Sequence, residues 1–130
     1  MKIHHIGYLV KNINKSITSF TLLGYELESG PVYDEIRKID IAFLTKEDYR
    51  VELVASAAED STVAELAKKY ENMPYHISYE SDDFEKDVDE LSKNGFIPID
   101  KATPAPAIEG KEVEFFINAN MGMIEVIKNN

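Results

Sequence analysis

A chain of 130 residues with no cysteine and a formal net charge of −10 excludes several classes of function at once. Cys-based zinc motifs and thiol nucleophiles are absent, and the excess of Asp and Glu argues against a nucleic-acid partner, whose backbone is bound by clustered Lys and Arg. Apolar residues at 44% and charged ones at 29% are ordinary for a soluble globular domain, no apolar run suits a bilayer span, and a cytoplasmic protein without a membrane partner is expected.

In chain order, residues 2–10 of "MKIHHIGYLV" read as a first strand rather than a targeting segment. A helix is predicted over about 14–23, with Asn12 or Asn14 as N-cap and Gly24 as its stop. Strands follow near 25–29, 37–45 and 49–55. The stretch "EDSTVAELAKKYENM" predicts a further helix, with Thr62 and Glu65 as a capping-box pair and Val63, Leu66 and Tyr70 on its buried side. A strand over 75–81 comes next, then Asp82 with Glu85 as a capping box opening a helix over 83–93, with Gly95 ending it. The last strands are expected near 96–100, 111–117 and 123–128. The loop "ATPAPAIEG" between them is either a cover over a site or an inert connection.

The elements repeat. "HIGYLVKNINKSITSFTLLGYE", from His5, aligns without a gap on "HISYESDDFEKDVDELSKNGFI", from His76, at a constant offset of 71. Val51-Glu52-Leu53-Val54 likewise matches Ile124-Glu125-Val126-Ile127 at an offset of 73. The chain therefore divides into a module over 1–56, a linker helix over 57–73 and a second module over 74–130. Each module opens with a His in a strand and closes with a Glu in a strand.

Side chains alternate across a strand, so parity assigns faces. Ile6, Tyr8 and Val10 share one face and His5 shares the other with Gly7. In the second module Ile77 and Tyr79 take the first face, while His76 lies with Ser78, a small residue that leaves room beside the imidazole. Glu52 opposes Val51 and Leu53, and Glu125 opposes Ile124 and Val126. A pseudo-two-fold pairing of the modules would line a cup with His5, Glu52, His76 and Glu125, a donor set suited to one divalent cation. His4 falls on the other face and is expected to be structural or exposed, and Met121 and Met123 to be core or pocket wall.

The paired His…Glu…His…Glu modules, with "HHIGYLV", "VELV", "DSTVAELAKK", "PYHISYESDD" and "GMIEVI", resemble the vicinal oxygen chelate superfamily over nearly the whole chain. The resemblance implies an α+β fold of paired βαβββ modules, with curved mixed sheets forming a metal-binding cup. It also implies one divalent ion, Zn²⁺, Co²⁺, Ni²⁺ or Mn²⁺, held by His5, Glu52, His76 and Glu125, and a homodimer. Within the superfamily the chain looks most like the methylmalonyl-CoA epimerases, whose linker helix is echoed by Asp60-Ser61-Thr62-Val63-Ala64. The segment "PVYDEIRKID" is longer than in those epimerases; Glu35, or Asp34 instead, is the residue matched to their non-ligand base.

The implied activity is metal-dependent isomerisation by removal of a proton next to a metal-bound carbonyl, with Glu125 or Glu52 as base on one face and Glu35 on the other. A CoA thioester would find cations at Arg37, Lys38, Arg50 and Lys111. The alternatives are a lactoylglutathione lyase acting on a glutathione hemithioacetal, and a binding or resistance protein without turnover. An Fe(II) oxygen-using enzyme is disfavoured, because Glu52 fills a position its chemistry would leave open.

Overall fold

The computed structural model describes all 130 residues. The protein is α+β: a strand, a helix and three strands are followed by a short helix, then a strand, a helix and four strands. Its compact units are Ile6–Tyr75 on the one hand, and Met1–His5 with His76–Asn130 on the other.

In the unit Ile6–Tyr75, β1 (Lys2–Leu9, whose first residues belong to the other unit), β2 (Glu26–Asp34), β3 (Ile39–Lys46) and β4 (Tyr49–Ser56) lie in the order β2-β3-β4-β1. β1 runs parallel to β4, with Gly7 opposite Glu52, and β4 runs antiparallel to β3. Helix α1 (Ile13–Leu22) starts where the Asn12 side chain accepts a hydrogen bond from the Lys15 amide, which settles the cap on Asn12. It ends before Gly24, at φ +97°. Ile13, Ile17 and Phe20 of α1 pack with Val10, Ala42, Leu44, Val51, Leu53 and Ala55, so the residues of odd parity on β4 face the helix and Glu52 faces away.

β2 is longer than the sequence suggests. A strand is expected near 25–29, but it runs on through Gly30-Pro31 as an irregular stretch, with register shifts against β3 between Leu27 and Val32 and a cis Gly30–Pro31 bond. Gly30 sits at φ +88°, and a Cβ there would lie 2.4 Å from the Ile41 carbonyl oxygen. Only glycine meets both demands.

Helix α2 (Ala64–Lys69) departs from the expected pattern. Neither Thr62 nor another side chain caps it; Ser61 is buried instead, its Oγ 2.6 Å from Ser56 Oγ. Val63 and Ala64 are buried and Leu66 is half-buried, but Tyr70 is 39% exposed. The helix is too short to carry the pattern that far: Tyr70 already has extended backbone, which turns its side chain out of the helical register.

In the other unit, β5 (Met73–Ser81, from His76 onward), β9 (Gly122–Lys128), β8 (Glu112–Asn118) and β6 (Ile97–Pro98) follow in that order, and β7 (Thr103–Pro104) also pairs with β8. Helix α3 (Phe84–Lys93) packs Phe84, Val88 and Leu91 on Tyr79, Phe116, Ile124 and Val126. The expected Asp82–Glu85 capping box does not form. The end of β9 delivers competing partners to the helix start: Glu85 pairs with Lys128 Nζ at 2.8 Å, Asp82 accepts from Asn129 Nδ2, and the Phe84 amide donates to Asn130 Oδ1. Ser81 Oγ accepts from the Asp83 amide and donates to Asp87 at 2.6 Å.

The proline-containing loop is tethered. β7 pairs with β8 at Val113 and Glu112, the Ala105 amide donates to the Lys111 carbonyl, and Ala105 and Ile108 are buried. Met121, at the turn into β9, is exposed rather than part of a core, and Met123 is half-buried.

Candidate metal centre

β1 carries His5, β5 carries His76 and β9 carries Glu125, all within one compact unit. β5 and β9 are parallel, with Ser78 opposite Glu125 and Ile77 opposite Ile124. Since Ile124 and Val126 face α3, the alternation turns Glu125 to the other face, and His76 and Ser78 with it. His5 is 1% exposed, His76 4% and Glu125 3%.

These three side chains converge. His5 Nε2 and His76 Nε2 are 3.2 Å apart, and Glu125 Oε1 lies 3.4 Å from the first and 3.9 Å from the second. Two imidazole nitrogens this close require either a shared proton or a cation between them, because two lone pairs cannot face each other. Tetrahedral donors at about 2.0–2.2 Å from an ion stand roughly 3.3–3.6 Å from one another. The spacings here, 3.2, 3.4 and 3.9 Å, bracket that range. Two neutral imidazoles and a carboxylate, all buried, are a donor set for a divalent ion of borderline character.

The neighbours fix the first two rings and the carboxylate. Ser78 Oγ donates to Glu125 Oε1 at 2.7 Å, and Ser78 is fully buried. Phe115, opposite Glu125 on β8, meets the His76 ring edge-on with centroids 5.3 Å apart. His4 is half-buried, and its Nδ1 lies 2.7 Å from His5 Nδ1. Strand parity puts Ser78 on the face of His76 but gives its hydroxyl no role, and it puts His4 on the other face.

In the unit Ile6–Tyr75, Glu52 sits in the middle of β4, 4% exposed, between Gly7 on β1 and Phe43 on β3. Asp34 is committed to a turn. It accepts from the Ile36 and Arg37 amides and from Arg37 Nη1 at 2.8 Å, a buried ion pair. Glu35, beside it, is exposed in the turn between β2 and β3. The cations expected to meet a CoA phosphate all have protein partners. Arg37 holds Asp34, Lys38 pairs with Asp60, which raises the lysine's proton affinity, Arg50 meets Glu28 at 3.1 Å and Lys111 donates to Asn129. No helix is long and apolar enough to cross a membrane.

Residues 4–115 match the family described as the Glyoxalase/Bleomycin resistance protein/Dioxygenase superfamily. No curated protein matches the chain in sequence. Among solved structures, a hypothetical protein from Bacillus halodurans C-125 is 25% identical, with a TM-score of 0.84 over 99% of this chain and 94% of that one. Methylmalonyl-CoA epimerase from Mycobacterium tuberculosis is 18% identical, with a TM-score of 0.84 over 99% of this chain and 88% of that one. A variant of Streptomyces coelicolor methylmalonyl-CoA epimerase, in complex with 2-nitronate-propionyl-CoA, is 19% identical, with a TM-score of 0.84 over 98% of this chain and 94% of that one. With both epimerases the likeness is one of fold.

Proposed function

Because the chain belongs to the Glyoxalase/Bleomycin resistance protein/Dioxygenase superfamily, we propose that it is a divalent-metal-dependent isomerase of the methylmalonyl-CoA epimerase type. The observation that carries this reading is the convergence of His5, His76 and Glu125, whose donor atoms have the spacing and chemistry of a metal-binding set. Glu52 is proposed as the fourth ligand on the strength of the repeat, in which Glu52 stands to Glu125 as His5 stands to His76. Zn²⁺, Co²⁺, Ni²⁺ and Mn²⁺ all suit such nitrogen and oxygen donors.

A divalent ion bound here supplies Lewis acidity, stabilising the negative charge that develops on a substrate carbonyl oxygen. The protein's part is proton handling. His5 and His76 would hold the ion through their Nε2 atoms as neutral imidazoles. Glu125 or Glu52, once released from ligation, takes the proton from the carbon next to the carbonyl, leaving the C–H electron pair on the substrate. Return of a proton to the opposite face requires a second acid, and Glu35 is proposed for it; Asp34, spent on Arg37 and two amides, is not. The substrate is a small molecule of the CoA-thioester or glutathione-hemithioacetal type. A cytoplasmic homodimer belongs to the same reading, the cytoplasm being consistent with the absence of cysteine.

The test is metal content per chain by elemental mass spectrometry on wild type and His76→Ala, followed by assays in D₂O with methylmalonyl-CoA and with the methylglyoxal–glutathione hemithioacetal. About one ion in wild type, little in the variant and deuterium entering methylmalonyl-CoA support the epimerase. Turnover of the hemithioacetal alone replaces it with a lactoylglutathione lyase. A wild type that takes up no ion from Co²⁺, Ni²⁺ or Zn²⁺ refutes the enzyme and leaves a binding protein.

A further inference from the structure

The two modules repeat each other in His and Glu, but not at the position between them. Gly7 and Ser78 are equivalent in the repeat. Each is the strand neighbour of its module's glutamate: Gly7 lies opposite Glu52, and Ser78 lies opposite Glu125. A glycine offers its neighbour no side chain. Ser78 offers a hydroxyl that is fully buried and 2.7 Å from Glu125 Oε1, the oxygen that also faces His5 and His76.

We propose that Ser78 is a positioning residue for the metal centre, holding the Glu125 carboxylate so that Oε1 presents its second lone pair to the two imidazoles. A carboxylate oxygen accepts along two directions. With one occupied by a charge-assisted O–H···O bond, the carboxylate loses its rotation about the last side-chain bond, and only the remaining direction serves the site. The buried setting strengthens the bond and leaves no water to replace it. Glycine at position 7 cannot act on Glu52 in this way, so the device belongs to the second module alone. Partners of this kind, one bond removed from the ion, set metal affinity by about 10–100-fold.

This inference rests on the reading of His5, His76 and Glu125 as ligands, and the experiment separates the two. Affinity for Co²⁺ is measured by competition with a chromophoric chelator for wild type, His76→Ala, Ser78→Ala, Ser78→Thr, Glu125→Ala and the double variant Ser78→Ala/Glu125→Ala, beside the melting temperature of each metal-free protein. Ser78→Ala is expected to bind about 10–100-fold more weakly, with Ser78→Thr restoring most of the loss. In the Glu125→Ala background, removing the hydroxyl is expected to change nothing further, because the group it holds is gone. Equal loss in both backgrounds, or wild-type affinity in Ser78→Ala, overturns the role of Ser78 while His76→Ala still confirms the site. Wild-type affinity in His76→Ala overturns the site itself. Should Ser78→Ala fail to fold, Ser78→Cys replaces it throughout: its thiol is a weak donor, so weaker binding supports the proposal and unchanged binding overturns it.

Discussion

His4 and His5 meet at their Nδ1 atoms, 2.7 Å apart, so the ring that turns its Nε2 toward His76 is held at its other nitrogen by its immediate neighbour in sequence. With an ion at its Nε2, His5 would carry its proton at Nδ1 and donate it to His4 Nδ1. His4→Leu removes the acceptor and is expected to weaken divalent-ion binding about 10-fold or more, while His4→Asn, whose amide oxygen falls close to the place of Nδ1, restores most of it. Chelator competition on the two variants checks this; equal affinities for Leu and Asn would refute it.

The buried Asp34–Arg37 pair supports the turn between β2 and β3. Asp34→Ala leaves the guanidinium buried beside two amides that have lost their acceptor, and is expected to cost about 3–5 kcal/mol in urea unfolding. Removing both charges with Asp34→Ala/Arg37→Leu is expected to cost less than the sum of the single changes, since no charge is then left unpaired.

Gly30→Ala places a methyl against the Ile41 carbonyl and forces an L-residue to φ +88°. The strain is expected to lower stability by roughly 1–3 kcal/mol. It should appear as a shift in the urea midpoint at unchanged slope. An unchanged midpoint would mean that β2 relaxes at its bulge.

Burial, and after it the negative charge of Asp100, holds the Glu114 carboxyl above its ordinary range. A raised carboxyl means that the folded state keeps the proton longer than the unfolded chain. Its stabilising contribution is therefore complete below the unfolded value and is lost as pH rises through the folded one. Carboxyl NMR titration is expected to find Glu114 lower in Asp100→Asn, and Glu114→Gln is expected to flatten stability against pH across that window.

Much of the site was legible because strand parity is a local rule. It puts His76 on the face of Glu125 without knowledge of the pairing, and the repeat supplies the pairing of roles. Ser78 was harder to read because parity gives direction but not chemistry. A serine in place of the repeat's glycine was visible, but that its hydroxyl meets Glu125 depends on the register of β5 against β9. His4 illustrates a second limit: alternation fixes where Cβ points, whereas an imidazole on the far face still reaches its neighbour's ring nitrogen. The capping box at Asp82 and Glu85 satisfied every local signal and lost to Lys128, Asn129 and Asn130, which arrive from β9. Arg37 looked like a rim cation until folding placed it beside Asp34. For Ser78 and the capping box the missing information was a partner distant in the chain; for His4 and Arg37 it was a side chain's reach to a near neighbour, which periodicity does not measure.

The 3.4 Å between His5 and Glu125 also bears on how the protein is made. Glu125 comes far after His5 in the chain, so the donor set cannot close during synthesis until β9 has been made. A nascent or truncated polypeptide ending before β9 would lack both the Glu125 carboxylate and the strand that pairs with β5 beside His76. Loading of an ion by this set would thus wait for β9, and its retention would report that β9 had been made and had joined β5.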